Sequence, residues 1–262
     1  MKKNSLYTIK SIFHSSVRYL LENTYQNSPF IGNCIMDQYA CFLKKIVKKK
    51  PDIFVTKIIS DKYHFIYTGI PKVASSTFRD FLYRYPETEA KLDTFITTTS
   101  LEKLIYTHPK FNSYFKYTFV RNPWSRVVSC YRDKILNAHP QHKVHIIKQY
   151  EGLYPNMPFS DFVDWLCASE GKDDNADRHW ISQYKLISDS KGKLLCDFIG
   201  KYENLEKDTA KIMEKLQLPY SNLPKTNAKP TEKSYQKYYN LRTKKLIEKR
   251  YKIDIELFGY DF

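Results

Sequence analysis

The 262-residue chain has only 7 glycines, and none of them belongs to a G-x-x-x-x-G-K-[ST] loop. That absence counts against ATP or GTP hydrolysis. Cysteine is equally sparse. Cys34, Cys41, Cys130, Cys167 and Cys196 are scattered, with no C-x-x-C pair and no His/Cys cluster at zinc spacing. A zinc module and a disulfide scaffold are therefore excluded, no metal is expected, and the odd, unpatterned count predicts reduced thiols. Long apolar runs are missing too. The N-terminus opens basic, as a leader would, but Lys10, His14, Arg18 and Glu22 interrupt the apolar run that a leader needs next. No stretch approaches the roughly 20 apolar residues that span a bilayer. The expectation is a cytoplasmic protein without signal peptide or anchor, whose contact with membranes is limited to peripheral attachment. Acidic charge is also short, with 28 Asp and Glu against 43 Lys and Arg, a net charge of +15. Such a surface attracts polyanions: nucleic acid, an acidic glycan, an anionic membrane or a phosphorylated nucleotide. No RRM, KH, helix-turn-helix or zinc signature is present, so no specific nucleic-acid partner is expected.

What the chain does have is a repeated strand-to-helix design. Hydrophobic residues make up 42% of it and aromatic ones 16%, enough for a packed core. His64–Thr68 is a short β-rich run that stops at Gly69, and Phe78, Phe81, Leu82 and Tyr85 then fall on one helical face. Tyr117–Val120 reads as a buried strand, broken by Arg121-Asn122-Pro123, with Val127, Val128, Tyr131 and Ile135 marking the next helix. A third strand is expected at Cys196–Gly200, followed by a helix bearing Leu205, Ile212, Met213 and Leu216, and a C-terminal helix carrying Tyr235, Tyr238, Tyr239 and Leu246. Strands alternating with helices predict an α/β fold with a parallel sheet covered on both faces, and ligands bind such sheets beyond the carboxyl ends of the strands. Residues 1–60 read as a helical N-terminal extension, with the basic run Lys48-Lys49-Lys50 ahead of Pro51, and residues 61–262 as the catalytic domain.

The first turn, Gly69-Ile70-Pro71-Lys72-Val73-Ala74-Ser75-Ser76-Thr77, leads from strand to helix. A helix N-terminus offers unpaired N–H groups and partial positive charge, Lys72 adds a full charge, and Ser75, Ser76 and Thr77 add hydroxyl donors. Simple helix capping by Ser75 or Ser76 is also compatible, but it does not account for the lysine. The second turn, Val120-Arg121-Asn122-Pro123-Trp124-Ser125-Arg126-Val127-Val128-Ser129, puts a guanidinium at a strand end and a proline at the first helical position. Ser129 lies two turns along that helix.

Pro71–Thr77 resembles the 5'-phosphosulfate loop of the carbohydrate sulfotransferases, and Arg121–Ser129 resembles their 3'-phosphate motif. The likeness is greatest to the family that contains the HNK-1 and chondroitin 4-O-sulfotransferases. Ser75-Ser76-Thr77 stands where that family often has Cys-Thr-Asn, a change that keeps small polar donors. The resemblance implies a P-loop-like three-layer sandwich with a central, mainly parallel sheet flanked by helices. It also implies 3'-phosphoadenosine-5'-phosphosulfate (PAPS) as co-substrate, released as adenosine 3',5'-bisphosphate, and a carbohydrate acceptor, which the basic charge suggests is acidic. On this reading Lys72, Val73, Ala74, Ser75, Ser76 and Thr77 hold the 5'-phosphosulfate, and Arg121 and Ser129 hold the 3'-phosphate. Arg126 matches a family arginine and is expected to support the fold through a buried ion pair. Asp177-Arg178-His179-Trp180 resembles the family's His-Trp segment, which makes His179 the candidate base and Lys72 the second catalytic group. His139, His142 and His145 are weaker candidates, and Asp177 is a neighbouring carboxylate.

Lys201 and Glu203 are candidates for shaping the pocket. Thr226-Asn227, Ser234 and the ending Asp254–Phe262 look like the family's C-terminus, which folds back over the nucleotide. Animal relatives are usually held in the Golgi membrane by an N-terminal helix, and no such helix is apparent here; a microbial enzyme is expected. The competing readings are a P-loop-like nucleotide kinase, which would need a Walker lysine and acidic Mg²⁺ ligands, and a basic polyanion-binding protein.

Overall fold

The computed structural model describes residues 55–83, 94–136, 150–219, 223 and 235–262. The expected N-terminal extension lies almost wholly outside these residues, as do Tyr85, His139, His142, His145, Thr226-Asn227 and Ser234. Five strands form one sheet: β1 (Lys57–Ser60), β2 (Phe65–Thr68), β3 (Thr94–Thr97), β4 (Phe115–Val120) and β5 (Phe198–Lys201), in the order β3-β1-β2-β4-β5. β2 pairs parallel with β4, and β4 with β5. β1 is antiparallel to both β2 and β3, so it alone runs against the other strands. The mainly parallel sheet expected from the sequence is thus present. It already includes β1, whose four residues lie ahead of the boundary expected after residue 60.

The helices are α1 (Ser75–Tyr83), α2 (Leu101–Thr107), α3 (Pro123–Tyr131), α4 (Phe159–Cys167), α5 (Leu205–Lys215), α6 (Leu241–Arg250) and α7 (Lys252–Phe258). Alternation along the strands sorts the core onto two faces. Ile58, Tyr67, Tyr117 and Phe119 meet Phe78 and Phe81 of α1 and Ile212 and Met213 of α5. Ile59 and Ile66 meet Leu101 and Leu104 of α2 on the other face. The Phe119 ring of β4 packs onto β5 where residue 200 is glycine: a Cβ there would lie 2.6 Å from that ring. A third cluster joins α3, α4 and α6 around Trp124, Trp165, Trp180 and Tyr251.

The C-terminal helix differs from the expectation. Tyr238 belongs to a short 3₁₀ turn, Gln236–Tyr238, that begins after Tyr235 and ends before Tyr239. Asn240 then starts α6 with a reciprocal capping box to Thr243. The tyrosines still pack into the core, against Phe159, Phe262 and Tyr131, but from a turn. No helix among the described residues is long and apolar enough to cross a membrane.

Candidate functional site

The loop after β2 has an unusual backbone. Lys72 and Ala74 both adopt positive φ, 69° and 51°. Side-chain-bearing residues avoid this left-handed region at a cost of about 1–2 kcal/mol each. A backbone that passes in and out of it turns successive N–H groups toward one side, as an anion-binding nest does. The Ala74 carbonyl accepts from Phe78 N–H at 2.9 Å, so Ser75, Ser76 and Thr77 are the first three residues of α1. Ala74, not a serine, supplies the capping carbonyl, and the first-turn amides lack intrahelical acceptors.

The turn after β4 is fixed differently. Asn122 caps α3 by accepting from Ser125 N–H at 3.2 Å, and Pro123 follows at the first turn. The Arg121 guanidinium donates to Ser125 Oγ at 2.9 Å and to the Lys72 carbonyl at 3.2 Å, and it stacks 4.2 Å above the Tyr202 ring. The two turns therefore meet at Lys72 and Arg121. Ser125 and Ser129 lie four residues apart on α3, and Ser129 is half-buried.

Arg126 does not form the expected ion pair. It is 2% exposed and donates to the carbonyls of Pro71 (3.2 Å), Ile181 (2.7 Å) and Arg178 (3.2 Å). Carbonyl partners satisfy the guanidinium fork without bringing a second charge into the interior. In doing so Arg126 ties the first loop to the segment carrying His179.

His179 is buried in a turn, where Trp180 and Ile181 N–H both donate to the Asp177 carbonyl. Its Nδ1 lies against Asp177 Oδ1, which also accepts from the His179 backbone N–H at 2.9 Å. An ionised Asp177 accepts Nδ1–H, which leaves the lone pair on Nε2, and Nε2 bonds to no described residue. Burial, and then Lys134, lower the His179 pKa to about 4. Burial alone would raise the Asp177 carboxyl, but His179 and Arg178 hold it well below the usual carboxylate range. At neutral pH the pair is therefore a neutral imidazole oriented by a carboxylate.

A further carboxylate lies beside the first loop. Asp133 lies in the π-turn Arg132–Leu136 that continues α3. Its Oδ2 is 3.1 Å from Lys72 Nζ and 3.4 Å from Lys134 Nζ. Burial would raise its pKa, but Lys72 and Lys134, with a smaller contribution from His179, bring it to about 2. Lys72, Asp133 and His179 thus share one electrostatic environment. Asp133 was not singled out from the sequence, although it follows Ser129 by four residues.

Lys201 and Glu203 act on the protein's own C-terminus. Lys201 Nζ donates to the Gly259 carbonyl at 3.1 Å and lies 4.6 Å above the Tyr260 ring. Glu203 accepts from Asn122 N–H at 2.8 Å and from Tyr260 OH at 3.0 Å. Asn122 Nδ2 donates to the Asp261 carbonyl at 2.6 Å, so the chain end folds back onto the start of α3. Gln183, fully buried, exchanges hydrogen bonds with the Arg121 backbone at 2.9 and 2.8 Å. Asp254, also fully buried, accepts from Gln183 N–H and Tyr184 N–H at 2.7 and 2.9 Å. Lys201, Glu203 and the returning chain end were singled out from the sequence, whereas Gln183 was missed because nothing in the local pattern announces it.

Comparison with known proteins identifies relatives of the chain. Carbohydrate sulfotransferase 14 of Danio rerio is 27% identical, over 78% of this chain and 61% of its own length. The Homo sapiens protein of that name is 28% identical over 62% of this chain and 46% of its own length. Carbohydrate sulfotransferase 9 of Homo sapiens is 29% identical over 62% of this chain and 41% of its own length. The chain thus spans roughly half the length of these curated relatives. No solved structure matches it. A family model described as the sulfotransferase family matches residues 56–261, the span in which both turns and His179 lie, and the chain belongs to that family.

Proposed function

We propose that this protein transfers a sulfuryl group from PAPS to a hydroxyl of a carbohydrate. The observation that carries the reading is that Arg126 ties the loop bearing Lys72 to the segment bearing His179, whose imidazole is held by the Asp177 carboxylate. The residues present suit the donor. The loop amides and Lys72 match a 5'-phosphosulfate, and Arg121 with Ser129 match a 3'-phosphate. PAPS supplies a sulfur whose bond to the 5'-phosphate oxygen breaks as the acceptor oxygen bonds to it.

His179 Nε2 accepts the acceptor's proton as that hydroxyl attacks, and Asp177 steadies the imidazolium that forms. Lys72 leaves Asp133 to follow the charge that develops on the departing phosphate oxygen. Arg126 keeps the two halves in register through Pro71, Arg178 and Ile181. An acidic glycan suits the net charge of +15 as acceptor. The free thiols Cys130, Cys167 and Cys196 suit a reducing compartment, and the cytoplasm is the location proposed.

The test is calorimetric titration with adenosine 3',5'-bisphosphate, with AMP and ATP as controls, followed by transfer of labelled sulfate from PAPS to a panel of neutral and acidic glycans. Tight bisphosphate binding with weak AMP and ATP binding is expected. Equal binding of all three would overturn the reading and favour a general polyanion surface.

A further inference from the structure

The Lys72–Asp133 ion pair has a consequence for how the cradle fills. Lys72 is the one full charge carried by the first loop, and its side chain is 18% exposed. Asp133 reaches it at 3.1 Å from the far end of α3, with a side chain that is 43% exposed. The π-turn at Arg132–Leu136 is the feature that places it there, and such turns recur at functional sites. An anion arriving in the loop must take over the same ammonium group. A carboxylate held by Lys72 and Lys134 stays ionised throughout the neutral range, so the competition does not depend on pH there.

We propose that Asp133 is a positioning residue that serves as the resident counter-ion of Lys72. It holds the lysine at the mouth of the loop and yields it to the incoming phosphosulfate. When the bisphosphate product is left, it takes the lysine back. The proposal deepens the reading given under Proposed function and rests on it, since it assigns a regulator to the same anion cradle. It makes binding weaker than the cradle alone would give, and release correspondingly faster.

Inorganic pyrophosphate separates this idea from the identity of the nucleotide, because it needs the cradle but not the nucleoside. Its dissociation constant is measured on the full chain and on Asp133→Asn, Asp133→Glu, Lys72→Ala and the double variant Lys72→Ala/Asp133→Asn. Asp133→Asn is expected to bind about fivefold tighter, the size of a partly exposed ion pair that no longer competes. Asp133→Glu, which restores the charge, should return to the parent value. In the Lys72→Ala background the Asn replacement should gain much less, because only direct repulsion of the anion and the pairing with Lys134 are then relieved. A residue that only props up the fold would weaken binding on removal or leave it unchanged. Equal or weaker binding in Asp133→Asn overturns the proposal, as does a gain of undiminished size without Lys72. Preference for the bisphosphate over AMP, measured on the parent protein, tests the donor assignment independently, so either result can fail while the other holds.

Discussion

The two strand-to-helix turns do related work with opposite construction. The turn after β4 is pinned from several directions: Gln183 brackets the Arg121 backbone, Glu203 holds Asn122 N–H, and the Asn122 side chain both caps α3 and holds the chain end. The loop after β2 puts Lys72 and Ala74 in the left-handed region, and its carbonyls at Pro71 and Lys72 are held by Arg126 and Arg121, which belong to the other turn. One turn is a frame and the other is suspended from it. Strained backbone persists only where its surroundings over-determine it, and here the surroundings are two arginines. Under the proposed function, selectivity for a 3'-phosphate would be built on the pinned side, and the lysine proposed to follow charge during transfer would sit on the suspended side.

The largest expected effect removes chemistry without touching either turn. His179→Ala should lower kcat by about 10²–10⁴-fold, the range for a positioned proton acceptor, with the dissociation constant of adenosine 3',5'-bisphosphate unchanged within about twofold. A matching loss of affinity would place His179 in the frame instead. The pH dependence has a definite sign. The imidazole titrates near 6.5 in the unfolded chain and at about 4 in the fold, so between those values the unfolded state binds the extra proton. This group's contribution to stability is therefore complete above about pH 6.5 and is lost as pH falls toward 4. The acid limb of kcat/KM, which reports the free enzyme, should lie near pH 4.

Arg126→Ala attacks the suspension itself. It strands three carbonyls, one buried and two partly buried, and should destabilise the protein by about 3 kcal/mol in denaturant melts, as loss of a buried charged donor does. It should also weaken bisphosphate binding, although Arg126 is assigned no contact with the ligand. Arg126→Lys should rescue neither, because one ammonium cannot span the three acceptors. Retained affinity in Arg126→Ala would mean that the first loop holds its own shape, and the contrast between the turns would collapse.

Arg121→Ala sharpens the contrast from the other side. Loss of charged hydrogen bonds of about 1.5–3 kcal/mol corresponds to a roughly 10–100-fold weaker bisphosphate affinity, while AMP binding should change much less. Equal losses for both ligands would remove Arg121 from the 3'-phosphate and leave it a brace for the Lys72 carbonyl.

Much of this was legible along the chain, and the reason is local. Lys72, Arg121 and Pro123 sit where a β-rich run gives way to a helical period, so adjacent residues declare both the element and its exposed end. His179 was legible only through the resemblance of its Asp-Arg-His-Trp segment. Asp133, Gln183, Glu203 and Asp254 were not legible in these roles. Gln183 reaches Arg121 across 62 positions, and Glu203 reaches Asn122 across 81. No periodicity records such pairings, because each is fixed only once the sheet order is. The reading of Tyr235–Tyr239 as helix failed for a different reason: an aromatic stripe satisfied the helical spacing, but the Asn240 capping box set the start of α6 after it. Arg126 was recognised as structural, yet its partners were expected to be charged. Carbonyls from two distant segments are invisible as partners in a sequence.

The smallest expected effect tests whether the frame is redundant. Asn122→Ala removes the α3 cap and the bond to the Asp261 carbonyl, and should cost about 1 kcal/mol, or roughly 2–4 °C in Tm for a chain of this size. Gln183 and Glu203 still hold the backbone on either side of the Arg121–Asn122 peptide, because their partners there are main-chain groups that the substitution leaves in place. Bisphosphate affinity should therefore stay within about twofold. Asn122→Asp separates the two functions of the side chain. The cap oxygen remains and favours the helix N-terminus, but the donor to Asp261 is lost and a carboxylate faces that carbonyl. Its Tm should fall by less than that of the alanine variant if capping dominates, and by as much or more if the tether to the chain end does. A large loss of affinity in either variant would show that the second turn is held by one side chain and is no more rigid than the first.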